Sequence, residues 1–206
     1  MHISWLGQTC VKLQTKNLDE DVVILIDGYR PEKGDFPRSF TPQIALYSHG
    51  TENAATLSQD PFVLDTIGEC EVKNTGVYCF PSGDKNNLIF KIASEGLLVV
   101  HLGKIVKKID DSLLEKIGNP DILILPVGGK DEYLTPEDAA AVVNAIQPRI
   151  VIPVGFQCDT EPNVLPASEF IKEIGLKVEA TDKKLIIKKK DLPAEETKLM
   201  ILEKNY

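Results

Sequence analysis

Residues 44–56 read IALYSHGTENAAT, and the interpretation of the whole chain depends on this stretch. Its apolar start, residues 44–47, is typical of a buried strand, and the strand leads into a loop of polar side chains that begins with Ser48 and His49. Binding sites are often built in such loops at strand ends. His49 therefore belongs to an active metal site, to the remnant of one, or to neither, and the residues that follow the other strands must distinguish these readings.

The composition is that of a soluble globular protein. The chain has 206 residues, of which 43% are hydrophobic and 26% charged, and this length suits one sizeable core. Lys+Arg 23 against Asp+Glu 31 gives a formal net charge of −8. This balance argues against a broad surface for nucleic acid or for an anionic membrane, so neither partner is expected.

No segment predicts export or membrane anchoring. The first residues lack a basic leader followed by a long apolar segment, and no apolar stretch approaches the ~20 residues of a membrane helix. The four cysteines are Cys10, Cys70, Cys79 and Cys158. Cys70 and Cys79 could face each other across a hairpin around residues 74–76, but four free thiols and a cytoplasmic location are the favoured reading.

Strands dominate the first half of the chain, whereas helices and strands alternate in the second. Apolar runs bounded by turn residues predict strands at residues 1–6, 10–15, 22–27, 44–48, 63–72, 77–81, 87–93 and 97–101, with a short helix at 53–59. Helices are predicted at 110–118, 135–148 and 166–175, and strands at 121–129, 149–154, 177–180, 184–187 and 198–202. The helix at 135–148 has the clearest signals, because Thr135 suits the N-cap, Pro136 the first turn, and Pro148 ends it.

These elements predict a layered α/β fold of the α+β kind. The strands within 22–26, 97–100, 122–125 and 150–152 are apolar on both faces, so both sides of their sheets must be covered. The early strands are too many for a doubly wound parallel fold. We expect one domain, residues 1–206, built as a four-layer αββα sandwich of two mixed sheets packed together with helices outside.

Polar residues follow most of the apolar strands. If these strand ends meet on one rim, the rim contains two histidines, an aspartate, a lysine and several glycines. The segments concerned are Gln8 after ISWLG, Asp27 after VVILI, Ser48-His49-Gly50 after IALY, His101-Leu102-Gly103-Lys104 after LLVV, residues 126–129 after ILIL, and residues 153–157 after RIVI.

In order and spacing, these segments resemble the metallo-β-lactamase fold, and in particular the small bacterial Zn-dependent hydrolases that include ascorbate-6-phosphate lactonase. Six family motifs find counterparts across nearly the whole chain. They are WLGHSC at residues 5–10, ILIDP at 24–28, THxHxDH at 48–54, HxGD at 101–104, DVLLLPVGG with a following helix at 121–139, and VIPMHY at 151–156. The resemblance implies the fold; it does not imply the chemistry, because a fold can carry a site or lose it.

Most of the family's metal ligands are replaced here. Of the seven metal-binding positions, the resemblance assigns a histidine to only two, His49 and His101. The others are occupied by Thr51, Asn53 and Ala54 in the first motif, by Lys104 at the bridging aspartate, and by Gly155 at the final histidine. Gln8 stands where the opening strand of the family has a histidine.

Two imidazoles would hold zinc poorly, because a catalytic zinc site needs about three protein ligands and a water. Lys104 also opposes a metal. At an effective dielectric constant of ~20, a dication and an ammonium ~4 Å apart repel by about 8 kcal/mol. We expect no cofactor and no metal ligands, and the ammonium would occupy the metal position. Zinc remains as an alternative, in a mononuclear site of His49, His101 and a recruited Cys158, Asp159 or Glu161.

Three functions follow from this pattern. The first is a pseudoenzyme of the metallo-β-lactamase fold with a degenerate metal site, which binds a small anionic ligand or a protein partner. The second is a metal-dependent hydrolase of a small ester, lactone or phosphorylated substrate with a reduced or relocated site. The third is a metal-free enzyme that uses Lys104 beside His49 or His101. The first is favoured because several ligands are lost together while the structural segments remain.

The candidate site residues follow from the same comparison. His49, His101 and Lys104 are candidate catalytic residues, and the candidate ligand-binding residues are Gln8, Asp27, Ser48, Thr51, Asn53 and Gly155. The sequence does not fix the oligomeric state; the resemblance allows a homo-oligomer, because the small hydrolases of this family often self-associate, and the apolar segment 198–202 could be an edge strand that pairs. The lysines at 183–184 and 188–190 flank an apolar stretch and predict a solvated strand edge.

Overall fold

A computed structural model describes residues 1–17, 20–84 and 86–206. Most of its strands belong to two mixed sheets. The first has six strands in the order β15-β1-β2-β3-β5-β7, antiparallel from β15 to β3 and parallel from β3 to β7. Its strands are β1 (His2–Trp5), β2 (Val11–Asn17), β3 (Glu20–Ile26), β5 (Ile44–Leu46), β7 (Phe62–Leu64) and β15 (Leu185–Ile186).

The second sheet has eight strands in the order β14-β16-β13-β12-β11-β10-β9-β8. It is antiparallel from β8 to β11 and parallel from β11 onward. Its strands are β8 (Gly68–Val72), β9 (Thr75–Pro81), β10 (Leu88–Ser94), β11 (Leu97–His101), β12 (Ile122–Pro126), β13 (Ile150–Val154), β14 (Val178–Asp182) and β16 (Lys198–Leu202). Two further short strands, β4 (Ser39–Phe40) and β6 (Thr56–Leu57), pair with each other.

The main core fills the space between the two sheets and continues to the buried faces of the helices, since it includes Leu113, Val143 and Phe170. Strand β3 shows how the sequence divides its side chains, because Ile24 and Ile26 join this core while Leu25, on the opposite face, joins a second cluster. That second cluster also contains Leu6, Cys10 and Tyr29, with Phe36, Phe40 and Leu57 packed against it. Loop segments therefore cover the outer face of the six-stranded sheet.

Three α-helices, α1 (Asp111–Ile117), α2 (Pro136–Ile146) and α3 (Ala167–Ile174), connect strands of the eight-stranded sheet. The Thr135 hydroxyl caps α2 by accepting the Asp138 N–H at 3.1 Å, and the Asp110 carboxylate caps α1 in the same way. The predicted class, an α/β fold with two mixed sheets, is confirmed, and all three predicted helices are present. The second cluster, built from strand and loop residues, packs on the Leu25 face of the six-stranded sheet, where the prediction placed a helix layer.

Four local predictions were wrong. Residues 53–59 form a turn and strand β6 instead of a helix, because Thr56 and Leu57 pair with β4. Residues 63–72 divide into β7 and β8, which belong to different sheets. The hairpin after β8 turns at Lys73 and Asn74, one position earlier than predicted, because both adopt positive φ. Strand β16 lies between β14 and β13, so it is not an edge.

The cysteines and the chain start are also fixed by the fold. All four cysteines are free, and Cys70 pairs in register with Val77 rather than with Cys79. The amino group of Met1 is buried, contacts the Glu95 carboxylate at 2.5 Å and donates to the Ile187 carbonyl at 2.9 Å. Across the described ranges, no helix is both long and apolar enough to cross a membrane.

Candidate functional site

A cavity of about 640 Å³ lies at the ends of several strands of both sheets. Such a concave, polar-lined space is the default place to look for a ligand site. Five of the residues predicted for the site line it together: Gln8, Asp27, His49, Asn53 and Lys104. The structure therefore brings together residues that lie far apart in the sequence.

Asp27, Ser48 and His49 form a chain of hydrogen bonds into this cavity. The Ser48 N–H donates to Asp27 Oδ1 at 2.6 Å, and the Ser48 hydroxyl donates to Asp27 Oδ2 at 2.7 Å. Because the hydroxyl proton is used for Asp27, the Ser48 oxygen accepts from His49 Nδ1–H at 2.8 Å. This arrangement leaves Nε2 as the ring nitrogen of His49 that a ligand can reach.

His101 lies behind the cavity and is fully buried. Its Nε2–H donates to the Thr9 carbonyl at 2.9 Å, and its Nδ1 accepts the Gly103 N–H at 3.0 Å. Burial lowers the pKa of His101; Asp27 and the bond to Thr9 oppose this effect, and His49 adds to it. His101 is therefore a neutral imidazole with both ring nitrogens bonded to the backbone.

The loop after β11 places Lys104 at the cavity. Asn87 holds the loop, since its Oδ1 accepts the Lys104 N–H at 2.6 Å and its amide donates to the Leu102 carbonyl at 3.0 Å. Gly103 has φ +66, and a Cβ there would lie 2.5 Å from the Leu88 carbonyl oxygen and 2.6 Å from Ser48 Cβ. Glycine is therefore required at this position for the loop to pass so close to Ser48.

The Lys104 ammonium contacts two residues of the segment after β12. Its Nζ lies 2.6 Å from the Glu132 carboxylate and 5.8 Å from the centre of the Tyr133 ring, within the range of a cation–π contact. The Tyr133 hydroxyl donates to Glu161 at 3.3 Å. Burial raises the pKa of Glu161, while the Tyr133 hydrogen bond and the charge of Lys104 lower it less and Glu132 adds to the increase.

Gly155 lies beside the same tyrosine. Its backbone has φ +61, and a Cβ at this position would be 3.2 Å from Tyr133 Cε1 and 3.0 Å from Pro126 Cβ. An imidazole at residue 155 would therefore meet the Tyr133 ring. The structure gives a physical reason for a small residue here, because the aromatic ring already takes the adjoining space.

Two lining residues have strained backbones. Gln8 has φ +47 and Asp27 has φ +50, in the left-handed region that non-glycine residues seldom adopt. Such conformations persist where the surroundings hold them in place, and they cluster at functional sites. The Asp27 carboxylate has a reason to be held so, because this position lets it accept both hydrogen bonds from Ser48.

The other predicted residues lie outside the cavity lining. Ser48 is buried behind His49, Thr51 is exposed in the loop, and Gly155 donates its N–H to the Gln8 carbonyl at 2.8 Å. Among the residues proposed as recruits for zinc, Glu161 lines the cavity. Asp159 instead binds the Lys204 ammonium at 2.6 Å and the Asp35 N–H at 2.9 Å, and Cys158 Sγ contacts the Thr160 hydroxyl at 3.2 Å.

Sequence reasoning missed Glu132 and Tyr133. The strand-end pattern extends after β12 only to the glycines at 128–129, which predict a turn. Glu132 and Tyr133 follow three and four residues beyond Gly129. A signal was present, because the chain between a buried strand and the N-cap of a helix must pass over the rim where ligand sites are built.

The comparisons with known proteins identify the family. The model of the β-lactamase superfamily domain matches residues 2–155, which include all the metal positions of the family. The chain belongs to this superfamily, that of the metallo-β-lactamase fold. Among its relatives is a metal-dependent hydrolase of Methanosphaerula palustris, 24% identical over 84% of this chain and 90% of the relative.

A second relative is a metal-dependent hydrolase of Methanopyrus kandleri, 23% identical over 87% of this chain and 95% of the relative. A crystal structure of a Thermotoga maritima protein, assigned to the Zn-dependent hydrolases of the superfamily, aligns with a TM-score of 0.78 at 23% identity and covers 98% of both chains. The metallo-β-lactamase fold protein YhfI of Bacillus subtilis aligns with a TM-score of 0.62 at 8% identity, over 99% of this chain and 97% of YhfI.

The residues present do not fit the dinuclear centre expected of this fold. His101 uses both ring nitrogens for backbone groups, Lys104 carries a positive charge at the bridging position, and Tyr133 fills the space beside Gly155. In the part of the chain that the structure describes, no group of three or more histidine, cysteine, aspartate or glutamate side chains is arranged to hold a metal ion.

Proposed function

We propose that this protein is a member of the superfamily with a degenerate metal site, which binds a small anionic ligand in its cavity without catalysing the family's reaction. The ligand lies against Lys104, close to His49. The observation that carries this proposal is the position of Lys104, whose ammonium replaces the bridging aspartate and reaches the cavity beside Glu132 and Tyr133.

The Lys104–Glu132 pair explains how an anion enters a cavity that also contains carboxylates. Lys104 is 34% exposed and Glu132 54% exposed, so the glutamate side chain can swing into solvent. An incoming anion then replaces Glu132 as the partner of Lys104, and the ammonium keeps a counter-charge throughout. Such an exchange avoids the cost of leaving the half-buried ammonium unpaired.

Two polar groups would orient the ligand. The Asp27–Ser48–His49 chain fixes the imidazole and leaves Nε2 for a ligand hydroxyl, while Gln8 contributes its amide at the same wall. One charged contact with polar contacts around it is the usual composition of a small-molecule site. This combination favours a small oxyanion that also carries hydroxyl groups.

Calorimetry with inorganic phosphate tests the proposal on metal-free protein. We expect phosphate binding in the presence of a chelator and well under one equivalent of zinc by elemental analysis. Lys104→Met should weaken binding roughly 10- to 100-fold, the value of one charge-assisted hydrogen bond. Lys108→Met is the matched control, because Lys108 is exposed on the same segment and does not line the cavity. Equal binding by both variants would disprove the role of Lys104.

A second candidate function is a metal-dependent hydrolase of a small ester, lactone or phosphorylated substrate with a reduced site. It is favoured by the hydrolase relatives and by the accessible Nε2 of His49. This function requires stoichiometric metal in purified protein, its loss in His49→Ala, and a hydrolytic activity that chelators abolish. That set of results would replace the first proposal.

A further inference from the structure

The six-stranded sheet ends in two unlike edges. Strand β7 is one edge and β15 the other, and in the described residues neither strand has a second neighbour. Unpaired edges present free N–H and C=O groups that can pair with another chain. Their side chains differ in charge, and this difference indicates which partner each edge fits.

The β7 edge is apolar and acidic. The Phe62 N–H donates to the Gln43 carbonyl, and the Leu64 carbonyl accepts the Tyr47 N–H. Because alternate residues of a strand point their backbone groups to opposite sides, the N–H and C=O of Val63 face outward. Phe62 and Val63 are 44% and 45% exposed. Two exposed acids flank the strand in the sequence: Asp60 before it and Asp65 directly after it.

The β15 edge is apolar and basic. Ile186, which pairs with His2 of β1, is 60% exposed. Exposed lysines lie on either side of it, Lys183 and Lys184 before the strand and Lys188 after it. Lys189 is excluded from this group, because its ammonium pairs with Asp121 at 2.8 Å. The sequence-based prediction of a lysine-flanked strand edge is confirmed at this position.

We propose that the β7 edge of one copy of this chain pairs with the β15 edge of a second copy. Where the second copy continues the sheet with its faces on the same sides, the new pair is antiparallel, because β15 runs opposite to β1, β3 and β7. Exposed apolar side chains on both edges would cover each other, and the acids of one edge would face the lysines of the other. A contact of two β7 edges would place like charges together, as would a contact of two β15 edges.

The association is head-to-tail, so each copy keeps one free edge and growth does not close after two copies. Strands of two and three residues make few hydrogen bonds, so we expect weak association that increases with concentration. Much of the attraction comes from exposed charges, and salt should therefore weaken it. Head-to-tail growth and salt sensitivity distinguish this contact from an apolar two-fold dimer.

Charge reversal tests the pairing by sedimentation velocity on the full chain. Asp60→Lys/Asp65→Lys makes both edges basic, whereas Lys183→Glu/Lys184→Glu makes both acidic. Each variant alone should remain monomeric at concentrations where the natural chain associates. An equimolar mixture should associate again, because every basic β7 edge finds an acidic β15 edge and every acidic β7 edge a basic β15 edge.

Val63→Pro gives an independent test, since proline removes only the outward N–H of this edge strand. It should reduce association without changing the circular dichroism spectrum. The matched control is Glu115→Lys/Lys116→Glu, which alters two exposed charges on α1, far along the chain from both edges. The proposal is wrong if the natural chain stays monomeric at low salt and high concentration. It is also wrong if the two charge variants still associate alone, or if their mixture does not.

Discussion

Replacement of Gly103 by alanine should strongly destabilise the loop that carries Lys104. Two costs add at this position. The first is the left-handed backbone at φ +66, which costs an L-residue about 1–2 kcal/mol. The second is steric, because the new Cβ would overlap Asn87 Oδ1 and would lie 2.5 Å from the Leu88 carbonyl oxygen. Overpacking a close-packed site typically costs a further 1–3 kcal/mol.

The matched control is Gly175→Ala at the C-cap of α3. Gly175 also has φ +66, but a Cβ there has no described atom within 4 Å. This variant therefore carries the backbone cost alone, about 1–2 kcal/mol. Gly103→Ala should lose about 2–5 kcal/mol of unfolding free energy, and the difference between the two variants isolates the steric term.

Urea denaturation followed by tryptophan fluorescence measures both values. For a chain of this size, each kcal/mol corresponds to about 2–4 °C in Tm, so thermal unfolding gives a second reading. Gly103→Ala should also weaken phosphate binding, because the strained loop shifts Lys104. If both variants lose the same unfolding free energy, residue 103 does not lie as close to Asn87 and Ser48 as described.

Three further outcomes are expected. Burial lowers the pKa of His101 in the folded state, so its contribution to the unfolding free energy is present above the unfolded pKa of about 6.5. As the pH falls below that value, the contribution is lost by about 1.4 kcal/mol per pH unit until the folded pKa is reached. Unfolding free energies measured from pH 7 to 5, with the His101 ring followed by NMR, check this, and a flat profile would contradict it. Thiol titration of the native protein should find Cys10 and Cys79 protected, because both are buried and burial raises the pKa of Cys79 to about 12. Denaturant should expose all four thiols. Rapid reaction of all four thiols in the native protein would contradict the burial of Cys10 and Cys79. Gly155→His should bind no more zinc than the natural chain and should be less stable, because the new side chain meets Tyr133; zinc gained at one equivalent, by elemental analysis, would refute that contact.

The sequence predicts most of the sheets and helices because their signals are local. The strand at 150–154 is apolar throughout, and the helix at 136–146 has a capping threonine, a first-turn proline and a closing proline. The predictions for residues 53–59 and 63–72 were wrong for the opposite reason. Their two- and three-residue strands depend on partners elsewhere in the chain, such as β4 for β6, and no local pattern encodes those partners.

The sequence predicts the site residues that the family motifs name. It does not predict how each side chain is bonded, because that depends on groups that only the fold brings close. The motifs named His49, Asp27 and Lys104, and these residues do share the cavity. The motifs also named His101, but only the structure shows that backbone groups occupy both of its nitrogens. The catalytic or binding role of each of these residues stays a prediction, as does the absence of a cofactor.

The ring of Tyr133 beside Gly155 also restricts the order of evolutionary change. A side chain at 155 and this tyrosine meet in one volume, because a Cβ at Gly155 would lie 3.2 Å from Tyr133 Cε1. A histidine is therefore better accepted at 155 after a smaller side chain replaces Tyr133, whereas replacing Tyr133 alone leaves a void. Installing a histidine here thus calls for two coordinated substitutions, taken in that order.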